Sequence, residues 1–111
     1  MTADSAVKIE ERSTDPAAMA MQARAASDLM KSLSNETRLM ILCLLSSGEM
    51  TVSEMEDRLH IQQAPLSQQL ARLRNERLVK TRREGRMIHY SIADPNVSEV
   101  VKTLYRIYCP T

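Results

Sequence analysis

Over most of the chain the apolar positions recur with helical spacing, and clear start and stop signals separate the runs. Residues 1–14 are polar and without period, which predicts a flexible N-terminal tail. Asp15-Pro16 then reads as a helix opening: the carboxylate accepts from free N–H groups, and proline fits the first helical position. Ala17–Leu33 follows, rich in Ala and Met and weakly apolar all round, as suits a helix buried between two subunits, although a surface helix also fits. Asn35 caps a second helix, with Glu36 favourable at the positive end of its dipole. Its run Leu39-Met40-Ile41-Leu42-Cys43-Leu44-Leu45 is apolar on every face and predicts a central helix. Ser46-Ser47-Gly48 ends it, with Gly48 available as a left-handed cap.

Thr51-Val52-Ser53-Glu54 has the capping-box pattern and opens a short third helix to about Leu59. His60-Ile61-Gln62 is a tight connection, and a fourth helix runs from Gln63 to Glu76 with Pro65 tolerated in its first turn. Two helices joined by so short a turn form a helix-turn-helix unit. Leu78–Arg83 and Arg86–Ile92 carry alternating β-branched residues on either side of Glu84-Gly85, which predicts a β-hairpin. Asp94-Pro95 repeats the cap-plus-proline opening. The last helix, from Asn96 to about Tyr108, puts Val97, Val100, Val101, Leu104 and Ile107 on one stripe. The expected fold class is mainly α with a β-hairpin wing: four helices, the hairpin and a fifth helix, a winged helix-turn-helix over residues 15–111.

Composition narrows this picture. At 111 residues the chain is one domain's worth, and a helical unit of that size often completes its core with a partner. With three Tyr and no Phe or Trp, the core must come from Leu, Ile, Val, Ala and Met. Two Gly and four Pro argue against a loop-rich or all-β fold. No apolar run approaches the roughly 20 residues of a membrane span. The N-terminus lacks the hydrophobic stretch of a secretory signal, and two cysteines without one predict free thiols in a reducing, cytoplasmic setting.

Charge is unevenly spread. Residues 1–57 carry ten acids and five bases, while residues 72–89 carry seven bases against Glu76 and Glu84. A basic patch beside an acidic body points to a polyanion-binding element. In the fourth helix, Leu66, Leu70 and Leu73 fall within about 60° of one another and make the inward face. The opposite side carries Ala64, Ser67, Gln68, Ala71 and Arg72, with Gln62, Gln63 and Gln69 adding to a dense set of amides. A plain amphipathic helix would expose Glu and Lys there, but no acid precedes Glu76. Small residues permit close approach to a major groove, and Gln and Ser read base edges. Arg82, Arg83 and Arg86 surround the hairpin tip, where they can reach phosphates or the minor groove.

Three segments in order resemble the ArsR/SmtB repressors. They are Leu33-Ser34-Asn35-Glu36-Thr37-Arg38-Leu39-Met40-Ile41-Leu42, the helix Gln63–Arg74, and the wing Leu78–Arg86 continuing through Tyr90-Ser91-Ile92. The resemblance covers about residues 17–108. It implies a DNA-binding homodimer joined through the first and last helices, on double-stranded operator DNA with an inverted repeat. It also implies base contacts from Gln63, Ala64, Ser67 and Gln68, with wing arginines on the backbone. One departure is informative. Where metal sensors of this family carry Cys-Val-Cys, this chain has Thr51-Val52-Ser53, and no His follows Asp94-Pro95-Asn96. Neither familiar metal site is expected, and no cofactor.

The remaining chemistry lies in Cys43, on the apolar second helix, and Cys109, at the end of the last. A buried cysteine often acts as a small hydrophobe. As a pair, however, these two resemble the dithiol of the family's persulfide-responsive branch. That resemblance implies a small persulfide or polysulfide inducer, a bridge between the thiols, and release of DNA. A metal or metalloid sensor using the same two thiols and a general oxidant sensor remain as alternatives, while the polar recognition face and arginine-rich wing argue against a winged-helix protein-interaction module. A thiol enzyme lacks a Cys-x-x-Cys motif or an evident general base. A zinc site of two Cys and two His would need His60 and His89, which belong to the DNA-binding part.

Overall fold

The computed structural model describes residues 15–109, so the expected tail at residues 1–14 lies outside the described residues. The chain divides into two units at residues 32 and 33. In the first, α1 (Pro16–Leu33) opens as its sequence predicts: the Asp15 carboxylate accepts from the Ala17 amide at 3.2 Å, and its carbonyl accepts from Met19 N–H at 2.9 Å. Met19, Met21 and Met30 are exposed on it.

The second unit begins with α2 (Glu36–Leu45), capped by the Asn35 side chain, which accepts from the Arg38 amide at 3.0 Å. Ile41, Leu42 and Leu45 are buried, but Met40 is exposed, and Leu39, Cys43 and Leu44 are half-buried. The helix is therefore central on one side only, although its sequence is apolar on every face. Its cap also differs from expectation. Ser46 closes the helix in right-handed conformation, the Ser46 and Ser47 hydroxyls donate to the Cys43 and Leu44 carbonyls, and Gly48 lies beyond them at φ +146°. Two serine hydroxyls satisfy carbonyls that a left-handed glycine would otherwise help to cap.

A two-residue strand, β1 (Met50–Thr51), follows and was not expected. Thr51 also caps α3 (Val52–Leu59) through a complete capping box: its hydroxyl accepts from Glu54 N–H, and its own amide donates to the Glu54 carboxylate at 2.8 Å. Those bonds hold the Glu54 carboxyl below its usual range. His60 ends α3 in the left-handed region at φ +56° and turns the chain into α4 (Gln63–Asn75). Leu66, Leu70 and Leu73 are fully buried, as their spacing predicts. At the far end of α4, Arg77 takes φ +63°, and the amides of Arg77 and Leu78 donate back to the Arg74 and Leu73 carbonyls. This is a Schellman closure with arginine in the place usually given to glycine.

The hairpin joins β2 (Val79–Glu84) to β3 (Met87–Ile92), in register from Val79–Ile92 to Glu84–Met87. Its turn is Gly85-Arg86, one residue later than expected, with Gly85 at φ +63°, a geometry that suits glycine. β1 pairs on the other side of β3, giving the order β1-β3-β2. Finally α5 (Pro95–Tyr108) is capped by Asp94, whose side chain accepts from the Asn96 amide at 2.9 Å. Its stripe divides: Val97 and Val101 are buried and Leu104 half-buried, while Val100 and Ile107 are exposed. The buried set holds no aromatic residue. Each fully buried leucine in it contributes roughly 1.5–3 kcal/mol. No helix among the described residues is long and apolar enough to cross a membrane.

Candidate nucleic-acid interface and thiol pair

The buried leucine stripe of α4 decides which side chains remain outside. Gln63, Ala64, Gln68 and Arg72 are exposed, and Ser67 is half-buried. Gln69 leaves the expected amide set, because its side-chain oxygen accepts from Arg38 Nε at 3.2 Å. The Arg38 guanidinium also lies 3.4 Å from Glu76, so one arginine of α2 holds both the middle and the end of α4. In the sequence, Arg38 stands out only as part of the segment Leu33–Leu42. No local signal marks a partner 31 residues away.

In the hairpin, pleating puts Lys80, Arg82 and Glu84 on one face and Val79, Thr81 and Arg83 on the other. Arg82, Arg83 and Arg86 are all exposed. Among the described residues, Arg83 and Arg86 have no side-chain partner, but Arg82 has two. Its Nε donates to Glu49 at 3.2 and 3.4 Å, a second nitrogen also reaches Glu49, and Glu84 lies 3.5 Å away. His89, opposite Arg82 in the register, has its Nε2 3.5 Å from Glu84.

The thiols lie elsewhere in the second unit. Cys43 is half-buried on α2, Cys109 is exposed just past the end of α5, and both are free. They line one groove of about 630 Å³, whose walls include Leu39, Met40, Leu44, Leu104 and Tyr108. Burial, and secondarily the nearby Cys109, pushes the Cys43 thiol up from its ordinary value. Among the described residues, no group of three or more His, Cys, Asp or Glu is placed to hold a metal ion.

Residues 35–81 match the family of bacterial regulatory proteins called the arsR family. The chain is similar to the transcriptional activator HlyU of Vibrio cholerae, at 42% identity over 73% of this chain and 75% of that protein. It is also similar to the biofilm growth-associated repressor of Agrobacterium fabrum, at 41% identity over 83% of this chain and 79% of that protein. The structure of reduced HlyU from Vibrio cholerae N16961 superposes with a TM-score of 0.77 at 40% identity, covering 82% of this chain and 96% of that one.

Proposed function

The chain belongs to the ArsR family of bacterial regulatory proteins, as a transcriptional regulator rather than an enzyme, and from that premise we propose a repressor that releases its operator when reactive sulfur bridges Cys43 and Cys109. A homodimer on an inverted repeat would set α4 into the major groove, with Gln63, Ala64, Ser67 and Gln68 at base edges and Arg72 near the backbone. The wing arginines Arg82, Arg83 and Arg86 would add phosphate contacts. The exposed apolar residues of α1 and α5, Met19, Met21, Met30, Ile107 and Tyr108 among them, suit a dimer interface.

The observation that carries the sensing half is the placement of both thiols on one groove. Access and charge state assign their order. Cys109 is exposed, while burial keeps Cys43 protonated to higher pH. The Cys109 thiolate attacks the terminal sulfur of a persulfide R–S–S–H, the R–S bond partner leaves as the thiol, and Cys109 carries –S–S–H. The Cys43 thiolate then attacks the Cys109 sulfur and expels hydrosulfide, leaving a disulfide. If both residues are persulfidated first, the terminal sulfur of one attacks the inner sulfur of the other, and the same departure leaves a trisulfide. The longer bridge suits thiols too far apart for a plain disulfide, which needs Cα atoms within about 7 Å. Among the relatives, one structure is specified as that of reduced HlyU, so a redox state is distinguished for that protein.

The test is operator binding before and after persulfide, peroxide or metal treatment, in the unmodified chain and in Cys43→Ser and Cys109→Ser. Both variants should bind DNA and ignore persulfide. Bridge closure, which needs the Cys43 thiolate, should accelerate with rising pH across the neutral range, by about tenfold per unit while the thiol is mostly protonated. Release by a metal with no response to persulfide would replace this reading with a metal or metalloid sensor.

A further inference from the structure

The contact that ties up Arg82 bears on how the chain grips a duplex. Glu49 lies between α2 and β1, 33 residues from Arg82, and the sheet brings them together. β1 pairs with β3 at Met50–Tyr90, and β3 pairs with β2 at Arg82–His89. Lys80 and Arg82 share one face of β2, and His89 faces the same way from β3. The Glu49 carboxylate thus sits before three basic side chains. The Arg82 hydrogen bond, followed by the charges of Arg82, His89 and Lys80, holds it below the ordinary carboxylate range. It is charged at any pH where DNA binding would be measured. A carboxylate offers an arginine fork the same paired acceptors as a phosphate.

We infer that Glu49 competes with DNA phosphate for Arg82 and thereby lowers the chain's affinity for duplexes of any sequence. The inference rests on the DNA-binding reading above. Phosphate contacts carry no sequence information, so a carboxylate that competes for one of them weakens specific and non-specific binding alike. The groove contacts of α4 are left as they were, so the ratio of specific to non-specific binding stays the same. Arg83, on the opposite face of the strand and without a partner among the described residues, is not subject to this competition.

The test uses the full chain and a mixed-sequence duplex of about 30 base pairs, long enough for two half-sites one helical turn apart. Glu49→Gln keeps the shape of the side chain and removes its charge. Because Glu49 is exposed, the fold does not depend on it. Binding should tighten about two- to fivefold, the scale of an exposed ion pair. The slope of log affinity against log salt should steepen by about one for each protomer. Glu49→Asp, which keeps the charge, should stay near the unmodified chain. In an Arg82→Ala background, Glu49→Gln should give only a small part of that gain. Unchanged or weaker binding by Glu49→Gln, or its full gain persisting without Arg82, overturns the assignment of Glu49 alone. If the unmodified chain shows no salt-dependent binding to any duplex, the DNA-binding reading itself falls, and this inference with it.

Discussion

On α4 the exposed Gln63, Gln68 and Arg72 have no side-chain partner among the described residues, while on the wing one arginine of three is already held by two carboxylates. The difference follows from how each surface is built. A helix fixes its outer face through its inner one, so burial of Leu66, Leu70 and Leu73 presents the polar side without engaging it. A hairpin is held by its backbone ladder, and its long side chains are left to find neighbours, including the acids of adjacent loops. The helix therefore presents a ready surface, and the wing one already partly committed.

Several substitutions would break or sharpen that contrast. The largest effect should come from Leu70→Ala, which removes the middle of the fully buried stripe and should cost about 2–5 kcal/mol in denaturant unfolding. Next, Gln68→Ala should leave stability unchanged but lose about 1–3 kcal/mol of discrimination between operators, read by competition between matched and altered sites. Equal loss on every sequence would remove Gln68 from base reading. Arg38→Ala should cost about 0.5–1.5 kcal/mol of stability by breaking its bond to Gln69, measured by thermal melting. The smallest change concerns the wing. Arg83→Ala should lower the salt slope by about one per protomer. Arg82→Ala should lower it by less, because Arg82 must first leave Glu49; equal slopes would erase the proposed difference between the two arginines.

What could be read from sequence followed the range of the forces involved. The caps at Asp15, Asn35, Thr51 and Asp94 act within three or four residues, and each appears where its pattern places it. The leucine stripe was equally legible, because one helix face repeats at a fixed interval. β1 was not: two residues cannot show a period, and Met50-Thr51 reads only as the approach to a capping box. Nor were the partners of Arg38 and Arg82, which depend on tertiary proximity across 31 and 33 residues. Cys43 and Cys109 could be paired in advance only through likeness to a family. Their shared groove depends on how α2 and α5 pack, which no local pattern encodes.

Thr51 has two attachments at once. Its backbone sits opposite His89 in the ladder, and its side chain starts α3. The hairpin and the helix-turn-helix are thus tied together at Thr51, and again where the Leu78 amide, at the entry to β2, donates to the Leu73 carbonyl of α4. Such ties set the spacing of the two prongs, as the crotch of a fork does. Under the proposed DNA-binding reading, a base pair inserted between the contacts of helix and wing would tell whether that spacing is held: a large loss of affinity is the expected outcome.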